Sequence, residues 1–293
     1  MAAVEASTST PEVFGGTEGQ YLLPHHVSEI DRLRRQHQYT KSCCDGNLLG
    51  FPLPESKEPL KILDSGCADG TWLLDLASEY PQKQLSLNGI DIGSNLFLAN
   101  PQLDLRQHDL LQQFPEGWGW KDNFDIIHQR FLVWGLKEPE WLRVVRNLGT
   151  VLKPGGRIQL VECKWIFPEL WETHPEQHKL ALTQIWSTKV AGMDIYIGEK
   201  LVDILQDLGY EDVTTVPYPF AYGASAKREE DRDSSAHLWV ESFRHLAGRM
   251  GGGIPGVAKT PEEYHAFLDR LVEEIKTIGY APELRMVSGR KPL

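Results

Sequence analysis

A loop of small residues links an apolar segment to a helical one in the first quarter of the chain. Residues 62–72 read ILDSGCADGTW, in which Gly66, Ala68 and Gly70 alternate with other residues. Small side chains at alternate positions let a ligand approach the backbone closely, and the helix start that follows suits a nucleotide. The spacing differs from the G-x-G-x-x-G of dinucleotide sites. The loop predicts a nucleotide-shaped site, and the alternative is a tight turn that binds nothing.

Carboxylates follow the next two apolar segments. Asp91 comes directly after residues 85–90, and Asp109 comes shortly after residues 103–107. In a doubly wound sheet, a carboxylate at the end of the second strand lies beside the first loop, where it can accept hydrogen bonds from both hydroxyls of a ribose. Asp91 is therefore predicted to bind a sugar, and the alternative is an aspartate in a surface turn.

Two further segments end in groups that can accept a proton. His128 ends residues 124–128, and Glu162 ends residues 158–162. The carboxyl ends of strands carry the ligands in open α/β sheets, so both side chains and Arg130 are expected near the cleft. An imidazole titrates near neutral pH, which makes His128 the first candidate for a general base and Glu162 the second. The alternative for each is a structural role in ordering its loop.

Alternating strand and helix patterns must position these residues. Apolar segments predict strands at 61–63, 85–90, 103–107, 124–128, 158–162, 213–216 and 284–289, and helical periodicity predicts helices at 72–77, 139–152, 201–210, 237–250 and 260–278. The LKPGG run that starts at residue 152 predicts a hard turn into the fifth strand, and residues 220–233 predict a polar loop. The alternation between residues 60 and 165 predicts one α/β sheet.

The chain is predicted to hold a single domain with additions to that sheet. Residues 1–18 are rich in small and polar residues, which predicts a disordered tail, and residues 19–293 form the domain. Residues 19–58 include a helix that begins near Ser28. An insertion at about 165–195 is predicted to form a helical cap over the site, and residues 200–293 supply the last helices and strands.

Charge and cysteine content disfavour several functions. The net charge of −11 argues against a nucleic-acid-binding face, and the one basic cluster, Arg32–Arg35, fits a solvated helix face. The four cysteines, Cys43, Cys44, Cys67 and Cys163, form no C-x-x-C pair, so no metal site is predicted, and reduced thiols fit a cytoplasmic protein. The sequence shows neither an apolar segment long enough to span a membrane nor a signal peptide.

The order of these motifs resembles class I S-adenosylmethionine (SAM)-dependent methyltransferases. The first loop is similar to their D-x-G-x-G-x-G motif, with Ala68 in place of the middle glycine, and the LKPGG turn is typical of them. The flanks resemble fungal secondary-metabolism methyltransferases typified by a velvet-complex regulator. Residues 20–37 match that family's Y-x-L-P segment and R-L-x-x-Q-H helix, and residues 284–292 match its closing strand. A narrower resemblance, to cluster-encoded N-methyltransferases of the gliotoxin type, is also considered.

The resemblance implies a Rossmann-like class I methyltransferase fold, with a seven-stranded, mostly parallel sheet and helices on both faces. It also implies SAM as the cofactor and S-adenosyl-L-homocysteine as its product. Residues 19–58 would form an N-terminal lid, in which Tyr21 would lie over the cofactor; the alternative for Tyr21 is an aromatic residue that packs a helix against the core. Asp109 would receive the adenine amino group. The residues expected to bind the cofactor are Tyr21, Asp64, Gly66, Ala68, Gly70, Asp91, Ile92, His108, Asp109, Leu110 and His128.

Methyl transfer is an in-line displacement, in which the protein holds the reacting atoms collinear and excludes water. Aromatic walls suit a sulfonium through cation–π attraction. Arg130, Trp134, Trp165 and Trp186 are expected to bind the methyl acceptor. No N-P-P-[FY] motif follows the fourth strand, which disfavours adenine or glutamine as the acceptor. The resemblance implies N-methylation of an amide or amine in a peptide-derived, diketopiperazine-type secondary metabolite.

Other functions remain open from the sequence. The same site would serve O- or S-methylation of a secondary metabolite, a regulatory protein that binds SAM within a complex, or a pericyclase or isomerase that retains the methyl group. The expected partner is a small-molecule substrate, with no nucleic acid and no membrane. The chain is expected to act as a monomer or a homodimer.

Overall fold

The computed structural model describes residues 27–293, with side chains from Ile30 onward. The predicted disordered tail and Tyr21 lie outside the described residues. Within residues 27–293, seven strands form one sheet in the order β3-β2-β1-β4-β5-β7-β6. These strands are β1 (Leu60–Ser65), β2 (Leu85–Asp91), β3 (Leu103–Gln107), β4 (Phe124–Arg130), β5 (Leu152–Lys164), β6 (Glu211–Pro219) and β7 (Glu283–Arg290).

The strands from β3 to β5 pair in parallel, whereas β7 runs antiparallel to both β5 and β6. This order confirms the predicted seven-stranded, mostly parallel α/β sheet. The connections reverse direction between β1 and β4, which are neighbours in the sheet. Open α/β sheets bind ligands at such a reversal, outside the carboxyl ends of the strands. The LKPGG run lies at the irregular start of β5, where Gly155 has a φ of +78°.

Helices cover both faces of the sheet. The helices of residues 27–293 are α1 (Val27–Cys43), α2 (Thr71–Glu79), α3 (Glu140–Val151), α4 (Pro175–Ala191), α5 (Ile197–Asp207), α6 (Arg232–Arg244) and α7 (Pro261–Ile278). Ile62 of β1 packs in one apolar cluster with Trp72 and Leu73 of α2, whereas the adjacent Leu63 packs in a second cluster with residues of α3 and α5. Successive strand residues point to opposite faces, so both clusters are needed to bury such a strand.

The segment 220–233 differs from its prediction as a polar loop. Phe220 and Tyr222 are buried, and the peptide N–H of Tyr222 donates to the carbonyl of Tyr280 at 2.7 Å. The Tyr222 ring packs against the rings of Phe220 and Tyr280 in an aromatic cluster. The sequence did not predict this cluster because polar residues surround Phe220 and Tyr222 in the chain. α6 begins at Arg232 rather than at residue 237. The sequence pattern missed its first turn because residues 232–234 are polar and exposed and show no apolar periodicity. It ends at Arg244 and continues as a 3₁₀ turn over residues 245–249.

The insertion at 165–195 contains α4, which packs against α7. The carboxylate of Glu274 in α7 accepts hydrogen bonds from the peptide N–H groups of Glu176 and Gln177 at 3.0 and 2.9 Å. A carboxylate at this position satisfies the first turn of α4 and complements its dipole. Among the described residues, none from α4 lines the cleft described below. The predicted cap over the site is therefore supplied by other segments, chiefly α1 and α6.

Candidate active site

A cleft opens at the carboxyl ends of β1, β2 and β4. Its floor is the loop after β1, its sides are the segments that follow β2, β3 and β4, and α1 and α6 cover it. The sequence-predicted residues that line it are Asp64, Gly66, Ala68, Asp91, Ile92, His108, Asp109, Leu110, His128, Arg130, Trp134 and Trp165. Gly70, Glu162 and Trp186 are not among the described residues that line it.

The loop after β1 adopts a left-handed backbone at three alternate positions. The φ angles are +75° at Gly66, +47° at Ala68 and +81° at Gly70. The φ of +81° at Gly70 favours glycine, and a Cβ atom there would lie 2.7 Å from a methyl group of Leu103, which would have to move. Gly70 thus shapes the loop from behind. The peptide N–H groups of Gly66 and Cys67 both donate to the carbonyl of Ile90, which fixes the loop against β2.

Asp91 holds the same loop from the end of β2. Its Oδ2 accepts a hydrogen bond from the peptide N–H of Ala68 at 3.0 Å, and its Oδ1 accepts one from Gly93 at 3.1 Å. The arrangement suits the predicted role with a ribose, because the carboxylate is oriented before any ligand arrives.

The segment after β3 forms the next wall. The peptide N–H of His108 donates to the carbonyl of Asp91, and the carboxylate of Asp109 accepts from the peptide N–H of Leu111 at 2.9 Å. The His108 ring stacks on Phe114 with 4.5 Å between centroids, and burial lowers the pKa of His108. The segment therefore presents a flat, neutral ring beside a fixed carboxylate, which suits a heteroaromatic base.

A buried pair lies at the junction of β1 and β4. His128 is opposite Asp64 in the parallel register, and its Nδ1 lies 2.7 Å from Asp64 Oδ1. The carboxylate can only accept, so Nδ1 carries the proton of a neutral ring and Nε2 is an acceptor. The ring lies flat on Trp72, with 3.8 Å between centroids and 4° between planes. Burial lowers the pKa of His128, although the charge of Asp64 opposes that shift.

A second polar network joins β4 to the covering helix α1. Arg130 Nη2 lies 3.1 Å from His37 Nδ1, and His37 Nε2 lies 2.9 Å from Asp75 Oδ2. Lys41 binds both Asp75 and Glu79 at 2.8 Å. Since Asp75 only accepts, His37 donates through Nε2 and accepts from Arg130 through Nδ1. Burial and the charge of Arg130 lower the pKa of His37 to about 4, so His37 is neutral at physiological pH.

α1 is also attached to the loop after β1. Arg34 Nε donates to Asp69 Oδ2 at 2.7 Å, and the same carboxylate accepts from the peptide N–H and hydroxyl of Thr71 at the start of α2. Together with the His37 network, this ion pair fixes α1 over the cleft. Of the described residues of the predicted lid, only residues of α1 line the cleft.

Glu162 lies behind the cleft rather than in it. The side chain is 1% exposed, and Oε1 accepts from the peptide N–H of Leu132 at 2.5 Å. Burial raises the pKa of Glu162 to about 8, so the carboxyl is predominantly protonated at neutral pH. The residue before Leu132, Phe131, has a φ of +57°, which is costly for an aromatic residue. Glu162 is placed to stabilise this turn, and its position and protonation do not support a role as general base.

Aromatic side chains surround the other half of the cleft. Trp165 stacks on Trp239 of α6 with 4.7 Å between centroids and 11° between planes, and Phe243 packs edge-on against Trp134 at 5.9 Å. These four side chains line the cleft, whereas Trp186 is half-buried against the core on α4. The sequence predicts that Trp186 binds the acceptor because it lies in the predicted cap region, but α4 places it outside the cleft lining.

The structure adds cleft residues from α1 and α6 that the sequence reasoning missed. From α6 and the turn after it, these are Trp239, Ser242, Phe243, His245 and Leu246. Trp239, Phe243 and Leu246 recur at helical spacing, which was the available signal, but that signal reads equally as core packing. From α1, the missed residues are Arg32, Leu33, Gln36 and His37.

A family model described as a methyltransferase domain matches residues 35–215, more than half of the chain. The chain belongs to the methyltransferase family. The matched range includes β1 to β5, the small-residue loop and both buried histidine networks described above. This methyltransferase is therefore an enzyme of the class that its motifs predict.

Its relatives include fungal proteins of similar length. The methyltransferase is 30% identical over 284 residues to N-methyltransferase sirN of Leptosphaeria maculans, covering 94% of this chain and 96% of that protein. It is 29% identical over 271 residues to N-methyltransferase tcpN of Claviceps purpurea, covering 91% and 95%. Secondary metabolism regulator LAE1 of Cochliobolus heterostrophus is 31% identical over 155 residues, covering 50% of this chain and 47% of that protein. These relatives confirm the predicted resemblance to fungal secondary-metabolism methyltransferases.

No three His, Cys, Asp or Glu side chains within residues 27–293 lie together as a metal-binding group. No helix there is long and apolar enough to cross a membrane.

Proposed function

We propose that this methyltransferase transfers the methyl group of SAM to a nitrogen of a small-molecule secondary metabolite. The observation that carries the proposal is the pairing of two unlike halves in one cleft. One half has the loop after β1, Asp91 and Asp109, which suit a nucleoside; the other is walled by tryptophan and phenylalanine. The names of the two relatives matched over almost their whole length support a nitrogen acceptor.

The residues present fit SAM. We propose that Asp91 binds the ribose and Asp109 the adenine amino group, while His108 and Leu110 flank the base. Gly66 and Ala68 would let the ligand approach the loop, and the Asp64 carboxylate would receive an ammonium group. When bound, SAM supplies an electrophilic methyl group on a sulfonium. The stacked indoles suit a positive centre and exclude water from it.

The chain's own part in the reaction is to orient the acceptor and to handle its proton. An amide or protonated amine must lose a proton when its nitrogen is methylated. We propose that His128 takes this proton through Nε2, because Asp64 holds the other ring nitrogen and the lowered pKa keeps the ring neutral. Glu162 is proposed instead as a positioning residue that holds the turn at Phe131.

The relatives and the aromatic chamber support an uncharged, peptide-derived acceptor such as a diketopiperazine. A purified-protein assay with SAM and a panel of diketopiperazines tests this. We expect S-adenosylhomocysteine and an N-methylated product, identified by the fragment that carries the added mass. Asp91→Asn should abolish turnover by weakening SAM binding, and Asp104→Asn, a matched change on an exposed β3 residue, should not. A product methylated on oxygen or sulfur would contradict the nitrogen assignment.

A regulatory role is the second candidate, because half of the chain resembles LAE1. In that case the protein would bind SAM tightly, and no metabolite in the panel would be methylated. An altered acceptor formed without S-adenosylhomocysteine would instead indicate a pericyclase or isomerase. Both outcomes are read from the same assay, since it follows the cofactor and the acceptor separately.

The remaining assignments are also proposals. We propose a single domain over residues 19–293 that acts as a monomer or homodimer, without nucleic acid or membrane partners. The net charge of −11 supports the exclusion of nucleic acid. We propose a cytoplasmic location, which the free thiols of Cys43, Cys44, Cys67 and Cys163 support, because disulfides form mainly in oxidising compartments.

A further inference from the structure

We propose that Arg130, expected from the sequence to contact the acceptor, instead binds the carboxylate of the cofactor's methionine moiety, and that His37 positions it there. The inference rests on the proposed function, since it assumes that SAM occupies the cleft. It assigns to one arginine the recognition of a single charged group, and it couples cofactor binding to the helix that covers the site.

The first observation is an incompletely satisfied cation. The Arg130 side chain is half-buried, its guanidinium lies 5.5 Å from the centroid of the Phe131 ring, and it forms no ion pair with a carboxylate of the described residues. Its hydrogen bond to His37 Nδ1, at 3.1 Å, uses one of the five N–H donors of a guanidinium. A buried charge is costly unless it is paired, and a ligand carboxylate would supply the missing partner.

The second observation is the position of Arg130 relative to Asp64. On β4, Arg130 lies two residues beyond His128 and therefore on the same face of the sheet, and His128 is opposite Asp64 on β1. Asp64 and Arg130 both line the cleft. One carboxylate and one guanidinium at this edge complement the ammonium and carboxylate of an amino acid. The methionine part of SAM carries this pair of charges.

The third observation is that Arg130 makes its polar contact on the side of α1. Its guanidinium donates to His37 of α1 and lies over the ring of its covalent neighbour Phe131, 5.5 Å from the centroid. Phe131 has a φ of +57° and stacks in turn on Phe220 with 5.7 Å between centroids. Arg130 therefore lies at the border between the polar network of α1 and the aromatic side chains. An uncharged acceptor has no need of a guanidinium, which leaves the remaining donors of Arg130 for a charged group.

The positioning role of His37 follows from its tautomer. Asp75 accepts a hydrogen bond from the Nε2–H group of His37. Nδ1 therefore carries no proton, so it accepts from Arg130 and cannot donate to a ligand. Asp75 is in turn bound to Lys41 of α1. The network therefore orients the guanidinium of Arg130 from the side of α1. The other N–H donors of Arg130 remain available to a ligand. Binding of a carboxylate by Arg130 would stabilise the docked position of α1.

Calorimetry with two ligands isolates the carboxylate. S-adenosylhomocysteine carries both charges, whereas decarboxylated S-adenosylhomocysteine keeps the amine and lacks only the carboxylate. We expect Arg130→Gln to weaken S-adenosylhomocysteine binding about 30-fold or more, in the range for removing one partner of a buried charge pair, and to leave the decarboxylated ligand within about threefold. His37→Gln should reduce the preference for the carboxylate in the same direction, by a smaller factor.

Arg35→Gln is the matched control, because Arg35 lies on α1 but is not among the described residues that line the cleft. It should leave the ratio of the two affinities unchanged, and circular dichroism and thermal unfolding confirm that each variant is folded. Arg130→Lys keeps the charge and should retain part of the preference even where Arg130→Gln loses stability. Equal losses for both ligands, or an unchanged Kd with a raised KM for the acceptor, would overturn the assignment. A wild-type protein that binds neither ligand would overturn the proposed function itself.

Discussion

Asp91 stabilises an unfavourable backbone conformation of Ala68: the peptide N–H of Ala68 donates to Asp91 Oδ2 at 3.0 Å, while Ala68 adopts a φ of +47°. The left-handed region costs an alanine about 1 kcal/mol or more. The loop nevertheless keeps this geometry, because the hydrogen bond to a fixed carboxylate and the bonds from Gly66 and Cys67 to Ile90 stabilise it. Alanine in place of the motif's middle glycine therefore affects the stability of the loop rather than its shape.

Replacing Ala68 by glycine should relieve this strain. We expect Ala68→Gly to raise the free energy of unfolding by about 1 kcal/mol and to leave the Kd for S-adenosylhomocysteine within about twofold. Urea unfolding and calorimetry measure the two quantities. Ala77→Gly, in the helix α2, is the matched control and should lower stability by about 1 kcal/mol. An Ala68→Gly protein that is less stable than the wild type would show that the position carries no strain.

Glu162 should make the protein less stable as the pH rises. Its pKa is raised to about 8 by burial, so between the ordinary carboxyl pKa and pH 8 the folded state binds more protons than the unfolded state. Stability is then highest at low pH and falls with increasing pH by up to about 1.4 kcal/mol per unit, until it levels off above pH 8.

Glu162→Gln tests this, because glutamine resembles the protonated acid and keeps an oxygen for the peptide N–H of Leu132. The stability of Glu162→Gln relative to the wild type should increase between pH 5 and pH 8. Urea unfolding at several pH values, with Glu169→Gln on the exposed surface as the control, gives this difference directly. A difference independent of pH would mean that Glu162 titrates like an ordinary carboxyl.

The ligand edge of the sheet was predictable because a polar or charged residue follows the apolar part of β1, β2 and β4. These residues are Asp64, Asp91 and His128, and all three line the cleft. The cover was less predictable. Trp186 and Trp239 are both tryptophans of helices, and only the packing of α4 on α7 and of α6 over the cleft distinguishes them. Contacts between helices that are distant in sequence determine which tryptophan faces the cleft, and no local sequence pattern predicts those contacts.

The role of Glu162 was equally hidden from the sequence. A carboxylate at a strand end suggests a base, but burial and the positive φ of Phe131 become visible only when the neighbouring turn is present. Similarly, the tautomer of His37 depends on Asp75, which lies on a different helix. In both cases the side chain's environment, rather than its type, determines its protonation and hence its chemistry.

The aromatic chamber should determine acceptor binding without affecting the cofactor. Trp239→Phe removes part of the face that stacks on Trp165, so we expect the KM for the acceptor to rise about fivefold or more while the Kd for S-adenosylhomocysteine stays within about twofold. Trp186→Phe is the same substitution at a residue outside the cleft and should change neither value. Steady-state kinetics and calorimetry on both variants test the assignment, and equal effects on KM would contradict it.

His128 should matter more for turnover than for cofactor binding. His128→Asn keeps a planar polar side chain against Trp72 and can still donate to Asp64, but its amide cannot accept the acceptor's proton. We expect kcat to fall by about 10² or more, a typical loss for a general base, with the Kd for S-adenosylhomocysteine within about threefold. Asp64→Asn should also lower kcat, because it disturbs the tautomer that leaves Nε2 free to accept. Since burial lowers the pKa of His128, the wild-type rate should persist below pH 6.5. An active His128→Asn enzyme would mean that solvent or the acceptor itself carries the proton away.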